Sequence, residues 1–433
     1  MPRWSANLDD GLVQSLAIYV AERRADRSFF DFKVDKQLAI PEHIISSEEH
    51  DFRIEIVTTE LHALPYSIAP LPDGRILVSE KTKGLRIISA DGKPSELITG
   101  TPQAYDDGIE FASLEMGLGW LMDVALHPDY TDNGWIYLHY GDRCEECNSG
   151  SLLPVTMNTL VRGHIKDGAW VDEEIIWKAE PETYTSTPDI AAGGRIAFDG
   201  EGAVFLSIGM KGPSNYHGIQ DLSLPYGKIH RVHDDGSMPE DNPFFNTPGA
   251  MKSIWTYGHR SPQGLEFNRL TGQLWGTEMG PRGGDEVNLL LPGKNFGWPL
   301  YSEGVNYDGT PVEYGIELGI EFDLEDIQQP VVDLTPSPSV SSFIFYEGSS
   351  FPGWQHNLVV GTLKATELYR MVVEDNKVIH QETLLNNLAR IRDIETGPDG
   401  NIYLLLEHTS GGQIIRLVPA SNGTEGQIIS QTN

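Results

Sequence analysis

The chain has 433 residues, of which 31 are basic and 63 acidic, giving a formal net charge of −32. Nucleic acid and anionic membrane surfaces reward basic patches, so neither is an expected partner. No run of about 18 apolar residues occurs, which argues against membrane insertion; with no signal-peptide pattern in the chain, the expected setting is nevertheless periplasmic or secreted.

Residues 1–28 carry Leu12, Val13, Leu16, Tyr19 and Val20 at helical spacing, with Asn7 or Asp9 available as a cap. This predicts one short amphipathic helix ending in Glu22-Arg23-Arg24. The stretch MPRWSANLDDGLVQSLAIYV resembles the tail of a c-type cytochrome domain, where a methionine ligand precedes a last helix. That resemblance implies a severed remnant or linker helix; a plain docking helix is the alternative. No haem-attachment CxxCH exists, since Asn148 follows Cys147. Residues 29–60 are a charged lead-in ending in the strand DFRIEIVTTEL.

From Leu64 a unit recurs: a strand end, a Pro/Asp/Gly turn, then a strand rich in branched and aromatic residues, which is hairpin grammar. The copies are Ala69–Glu80, Ala125–Tyr140, Ala197–Ile208, Glu266–Thr277, a looser Phe351–Gly361, and Glu395–Leu406. A lone hairpin cannot bury both faces, whereas radial stacking of four-stranded blades can. The expected fold is therefore all-β, a six-bladed β-propeller over residues 50–420 as one domain, with a loose polar tail after Pro419. The only cysteines form Cys144-Glu145-Glu146-Cys147. A redox motif would need a βαβ context, and zinc would need two further ligands. A loop-pinning disulfide is favoured, with two free thiols as the alternative.

Propeller ligand sites lie at the axial mouth. Seven segments are predicted to converge there: 118–123, 190–195, 209–217, 258–263, 278–286, 362–366 and 389–393. Alternation puts Arg390 and Arg392 on one face of an extended segment, and Lys364 joins them from the preceding blade as an anion trap. Between Trp255 and Pro299, His259, Arg260 and Gln263 flank the turn Ser261-Pro262. The glycine-rich acidic loop Gly280–Glu286 follows, and its oxygen donors suit calcium. A polar turn beside a solvated acidic loop is the plainer alternative.

These motifs carry a resemblance. GLGWLMDVALHPDYTDNGWIYL, YGKIHRVHDDGSMPEDNPF, IWTYGHRSPQGLEF, TEMGPRGGDEVNLLLPGKNFGWP and LARIRDIETGPDGNIYLL, in that order, resemble the soluble glucose/sorbosone (aldose sugar) dehydrogenases. The likeness spans Leu64 to Val418. It implies a six-bladed propeller using pyrroloquinoline quinone (PQQ) and Ca2+. It also implies that Arg260 and Gln263 contact cofactor and substrate, and that Lys364, Arg390 and Arg392 hold the quinone's carboxylates. By the same likeness, carbonyls of Gly280 and Pro281 reach the cofactor-bound calcium, and Asp285 and Glu286 match acids of a structural calcium site.

The departures cluster around the substrate. The family's catalytic His falls at Ala191, its partner Asp at Met210, and its motif Asn at Ser261; Leu118 replaces a Gln and Trp120 a Gly. A positioned base is worth about 10² to 10⁴ in rate, so ordinary aldose oxidation is disfavoured. Among His217, His230 and His259, residue types more often structural in turns, His217 is the candidate base beside Arg260. The expected function is a calcium- and PQQ-dependent dehydrogenase of altered specificity, oxidising a sugar or another alcohol or aldehyde, with a cytochrome c as candidate electron acceptor. The alternatives are a non-redox calcium propeller acting as a lactonase or lyase, and an inactive binding propeller.

Overall fold

Six antiparallel sheets ring one axis, each led by an innermost strand that packs on the next until the last meets the first. The computed structural model describes residues 10–25, 32–36, 38–111, 113–147, 150–212 and 216–420. The innermost strands are Pro65–Pro70, Leu121–Leu126, Gly193–Phe198, Pro262–Asn268, Val340–Phe345 and Arg390–Thr396. Every predicted repeat falls on the connection from the innermost strand of a blade to its second strand. The left-handed turns this needs are supplied by Gly74 (φ 86°) and Gly400 (φ 77°).

Strands near the axis lie between two blades, so Ala203–Ile208 and Val340–Phe345 are buried along their whole length. The outer strand Lys377–Leu385 is exposed over most of its length. The cores sit between blades; Phe52, Ile344, Val359, Leu404 and Ile415 share one such cluster. The lead-in strand Asp51–Thr58 closes the ring. It pairs antiparallel with Gln413–Pro419, matching Ile54 with Leu417 and Ile56 with Ile415, so the sixth blade is built from both ends of the propeller.

On the axis, Arg195 ties four blades together. It donates to Asp393 (2.7 Å), to the carbonyl oxygens of Gln263 (2.7 Å) and Arg392 (3.0 Å), and lies 3.4 Å from Asp123. Asp123 in turn accepts from the Ser67 hydroxyl and the Ile196 amide. Burial pushes the Asp123 carboxyl up to about 6, against the pull of Arg195.

The N-terminal helix runs Asp10–Arg24; the proposed caps Asn7 and Asp9 lie outside the described residues. It docks on the propeller, but not by its apolar stripe. Leu12, Val13, Leu16, Tyr19 and Val20 are 44–47% exposed, while the polar face docks and buries Ile18. Gln14 donates to Glu303 O (2.9 Å), and Glu22 accepts two bonds from Arg282 (2.9 and 2.8 Å). Amphipathic spacing identifies a stripe but not what the stripe meets. Cys144 and Cys147 are joined as a disulfide at the end of the second blade's Ile136–Cys144 strand. Among the described residues no helix is long and apolar enough to cross a membrane.

Candidate active site

Where the innermost strands begin and the second strands end, a cavity of about 290 Å³ opens at the axis. All seven predicted segments reach its wall, through Trp120, Ala191, Met210, Arg260, Gly280, Lys364 and Arg390 among others. The predicted cations Lys364, Arg390 and Arg392 are each less than a tenth exposed there.

Beneath them lies a residue that sequence reading missed. Glu407, 1% exposed, accepts from Arg390 Nε (2.9 Å), Arg392 Nε (2.8 Å) and Lys81 Nζ (2.7 Å). Burial raises its proton affinity, but Arg392, Lys81 and Arg390 hold it well below the usual carboxylate range. Lys81 was also missed. It stands 5.1 Å over the Trp120 ring, and burial presses its pKa down to about 8 despite Glu407. Three buried cations thus share one carboxylate, leaving the cluster two negative charges short. Uncompensated buried cations are costly, and a multiply charged anion would restore balance.

The Arg260 turn forms the next wall. Glu278 organises it, accepting from the amides of Arg260 and Ser261 and from His259 Nδ1. Arg260 Nη1 donates to Met279 O (3.0 Å) and Gly280 O (2.9 Å), and Nη2 to the Tyr307 hydroxyl (2.8 Å). Gln263 accepts from Arg392 (2.9 Å) and donates to Ser261 (3.0 Å). Gly280 sits so close to the carbonyls of Gly283 and Gly284 that a side chain would meet them at 2.2 and 2.4 Å. The tight loop therefore requires glycine at position 280. Asp285 lines the wall, but its oxygens accept from the amides of Gly280 (3.1 Å) and Val340 (2.8 Å). Glu286 does not line the cavity and accepts from Asn288 Nδ2 (3.0 Å). Burial and the charges of Glu278, Asp333 and Glu303 push its carboxyl well above the usual range. Among the described residues no three Asp, Glu, His or Cys side chains converge on a common metal position.

The opposite wall is mostly apolar: Trp120, Ile190, Ala191 and Met210 line it together with Asp189. Asp189 accepts from Lys211 (2.5 Å), Thr156 (3.1 Å), and the amides of Gly119 (2.7 Å) and Trp120 (3.0 Å). Four donors occupy its lone pairs, so Asp189 is no proton acceptor. His217 does not join the site. It lies on the short helix Tyr216–Gln220, which buries Gly218 and Ile219 and leaves His217 exposed, off the cavity wall. His259 bridges Thr256 and Glu278, and His230 bridges Ser253 and Pro225; both are buried.

A family model described as glucose/sorbosone dehydrogenase matches residues 62–416. The chain belongs to that family. It is accordingly an oxidoreductase of the glucose/sorbosone dehydrogenase type. It is 34% identical over 359 residues to aldose sugar dehydrogenase YliI of Escherichia coli K12, covering 82% of this chain and 90% of that protein. It is 24% identical over 448 residues to quinoprotein glucose dehydrogenase B of Acinetobacter calcoaceticus, covering 86% and 88%. The crystal structure of the soluble Escherichia coli aldose sugar dehydrogenase in its apo-form superposes with a TM-score of 0.73 at 32% identity. That match covers 85% of this chain and all of the other.

Within this family member, the cationic wall was legible from Arg390, Arg392 and Lys364. Lys81 carried only a weak sequence signal: a charged residue just after a repeat, at the position where the other blades also place their axial loops. Glu407 carried a comparable one, following the last repeat.

Proposed function

We propose that this family member is a PQQ-dependent dehydrogenase of altered specificity, oxidising a sugar or another alcohol or aldehyde. One observation carries the reading: Lys81, Arg390 and Arg392 lie buried around the single carboxylate of Glu407, an arrangement short of negative charge. The name of the Acinetobacter calcoaceticus relative, a quinoprotein, supports it. When bound, PQQ supplies a two-electron oxidant.

In this reading Arg390, Arg392 and Lys364 hold the quinone's carboxylates, with Lys81 adding charge from beneath. Gln263 keeps Arg392 in register through its side-chain oxygen. Arg260 is the catalytic candidate, its guanidinium steadying a substrate oxygen as that oxygen gives up its proton. Calcium is proposed at the carbonyls of Gly280 and Pro281, whose loop meets the cavity. Gly280 O already accepts from Arg260 and keeps a second lone pair. Asp285 fixes the loop through the Gly280 amide. A separate structural calcium is proposed beside Glu286, whose carboxyl feels the charges of Glu278, Asp333 and Glu303. A periplasmic or secreted setting and a cytochrome c electron acceptor complete the proposal.

The absence of a base at Ala191 favours a second reading, a propeller that binds an anion but does not oxidise sugars. Adding PQQ and Ca2+ to metal-free protein separates the two. Saturable absorbance and heat changes with dye reduction on alcohols or aldehydes are expected. Uptake without dye reduction supports the binding propeller, and no uptake of PQQ ends the quinone reading.

A further inference from the structure

Residues 10–36 precede the stretch matched by the family model, yet two of them reach the cavity wall, Glu22 and Phe32. They arrive from different sides. Glu22 is held by Arg282 on the fourth blade's glycine loop, and the Phe32 carbonyl accepts from Arg390 Nη1 (3.0 Å) on the sixth blade. Both are anchored by further bonds. Ser15 Oγ donates to Gly309 O, the Thr409 amide donates to Val34 O (2.9 Å), and His408 Nε2 lies 2.7 Å from Lys36 O.

This attachment changes what the cavity can admit. Its volume of about 290 Å³ is near the low end for ligand pockets, and cofactor and substrate must share it. Phe32 is part of the wall that bounds this volume, and the small volume disfavours an extended substrate. The Glu22 side chain is 11% exposed, and each oxygen accepts one bond from Arg282. A carboxylate oxygen has two acceptor positions, so Glu22 retains capacity for a hydroxyl donor. Asp189 and Asp285, the other acids of the wall, spend their oxygens on internal donors.

We propose that Glu22 and Phe32 are specificity-determining residues, in front of the stretch matched by the family model, that select a compact hydroxylated substrate over extended ones. The proposal rests on the reading of the cavity as a substrate site. It is tested with the full chain by ligand-observed NMR of D-glucose and maltotetraose binding, with and without added PQQ. The wild type is expected to prefer D-glucose. Phe32→Ala, which keeps the carbonyl bonded to Arg390, should bring maltotetraose to within about threefold of glucose. Glu22→Gln should weaken glucose binding roughly tenfold, the scale of one hydrogen bond to a charged group. Melting curves show that the variants are folded. Unchanged affinities in both variants overturn the proposal, as does a wild type that binds neither saccharide or binds both alike. Failure of the wild type to take up PQQ overturns the quinone reading instead, because the saccharide ratios are read without it.

Discussion

The two walls of the cavity solve the problem of buried charge in opposite ways. On the sixth-blade side, Arg390, Arg392 and Lys81 crowd one carboxylate, Glu407, and the surplus positive charge faces the cavity. On the second- and third-blade side, the buried Asp189 is paired with the buried Lys211, and the rest of the wall, Trp120, Ile190, Ala191 and Met210, is apolar. An unbalanced cluster is costly unless a ligand completes it, whereas a balanced pair is structural. In the proposed reading, ligand recognition belongs to the first wall, and the second carries no general base.

The sharpest way to break this contrast is to put chemistry back on the apolar wall. Ala191→His with Met210→Asp restores a base and its orienting carboxylate. It should raise glucose oxidation by about 10² to 10⁴, read as kcat/KM with PQQ and Ca2+ present. An unchanged rate would mean that this wall does not face the reacting carbon.

Next in size is the balanced pair. Lys211→Met strands the Asp189 carboxylate, which should cost about 3–5 kcal/mol in stability, measured by denaturant unfolding. A loss within experimental error would show that the amides of Gly119 and Trp120 suffice to hold the charge.

On the cationic wall, Arg390→Ala with Arg392→Ala removes two charge-assisted contacts and should weaken PQQ binding by roughly a hundredfold or more. Calorimetric titration checks this. Equal affinity in the double variant would move the anion elsewhere.

The smallest effect concerns pH. Lys81, pressed by burial down to about 8, is charged below that value and neutral above it. PQQ affinity should therefore fall, by about tenfold or less, as pH rises through 8, and Lys81→Met should flatten the curve. Stability should move the other way. Between about 8 and the ordinary lysine value the unfolded chain binds more protons than the folded one, so this group's contribution to stability rises with pH. Unfolding free energies at pH 8 and pH 10 for both proteins test the sign.

The amino-acid order by itself determined the six hairpins, because turn chemistry and branched strands are local properties. It also determined that Arg390 and Arg392 share a face, because strand alternation is local too. Ala191 and Met210, which both fall inside short motifs, are brought together on the cavity wall. Only the tertiary structure decided which groups are neighbours across hundreds of residues. Lys81 meets Glu407 at a separation of 326, and the strand Asp51–Thr58 finds its partner at the far end of the propeller. It also turned the N-terminal helix over. Helical spacing specifies that Leu12, Val13, Leu16, Tyr19 and Val20 form a stripe. Whether that stripe or the polar face meets the protein depends on the docking surface. Here that surface offers Arg282 and the carbonyls of residues 302–304, which call for Glu22 and Gln14 rather than leucine.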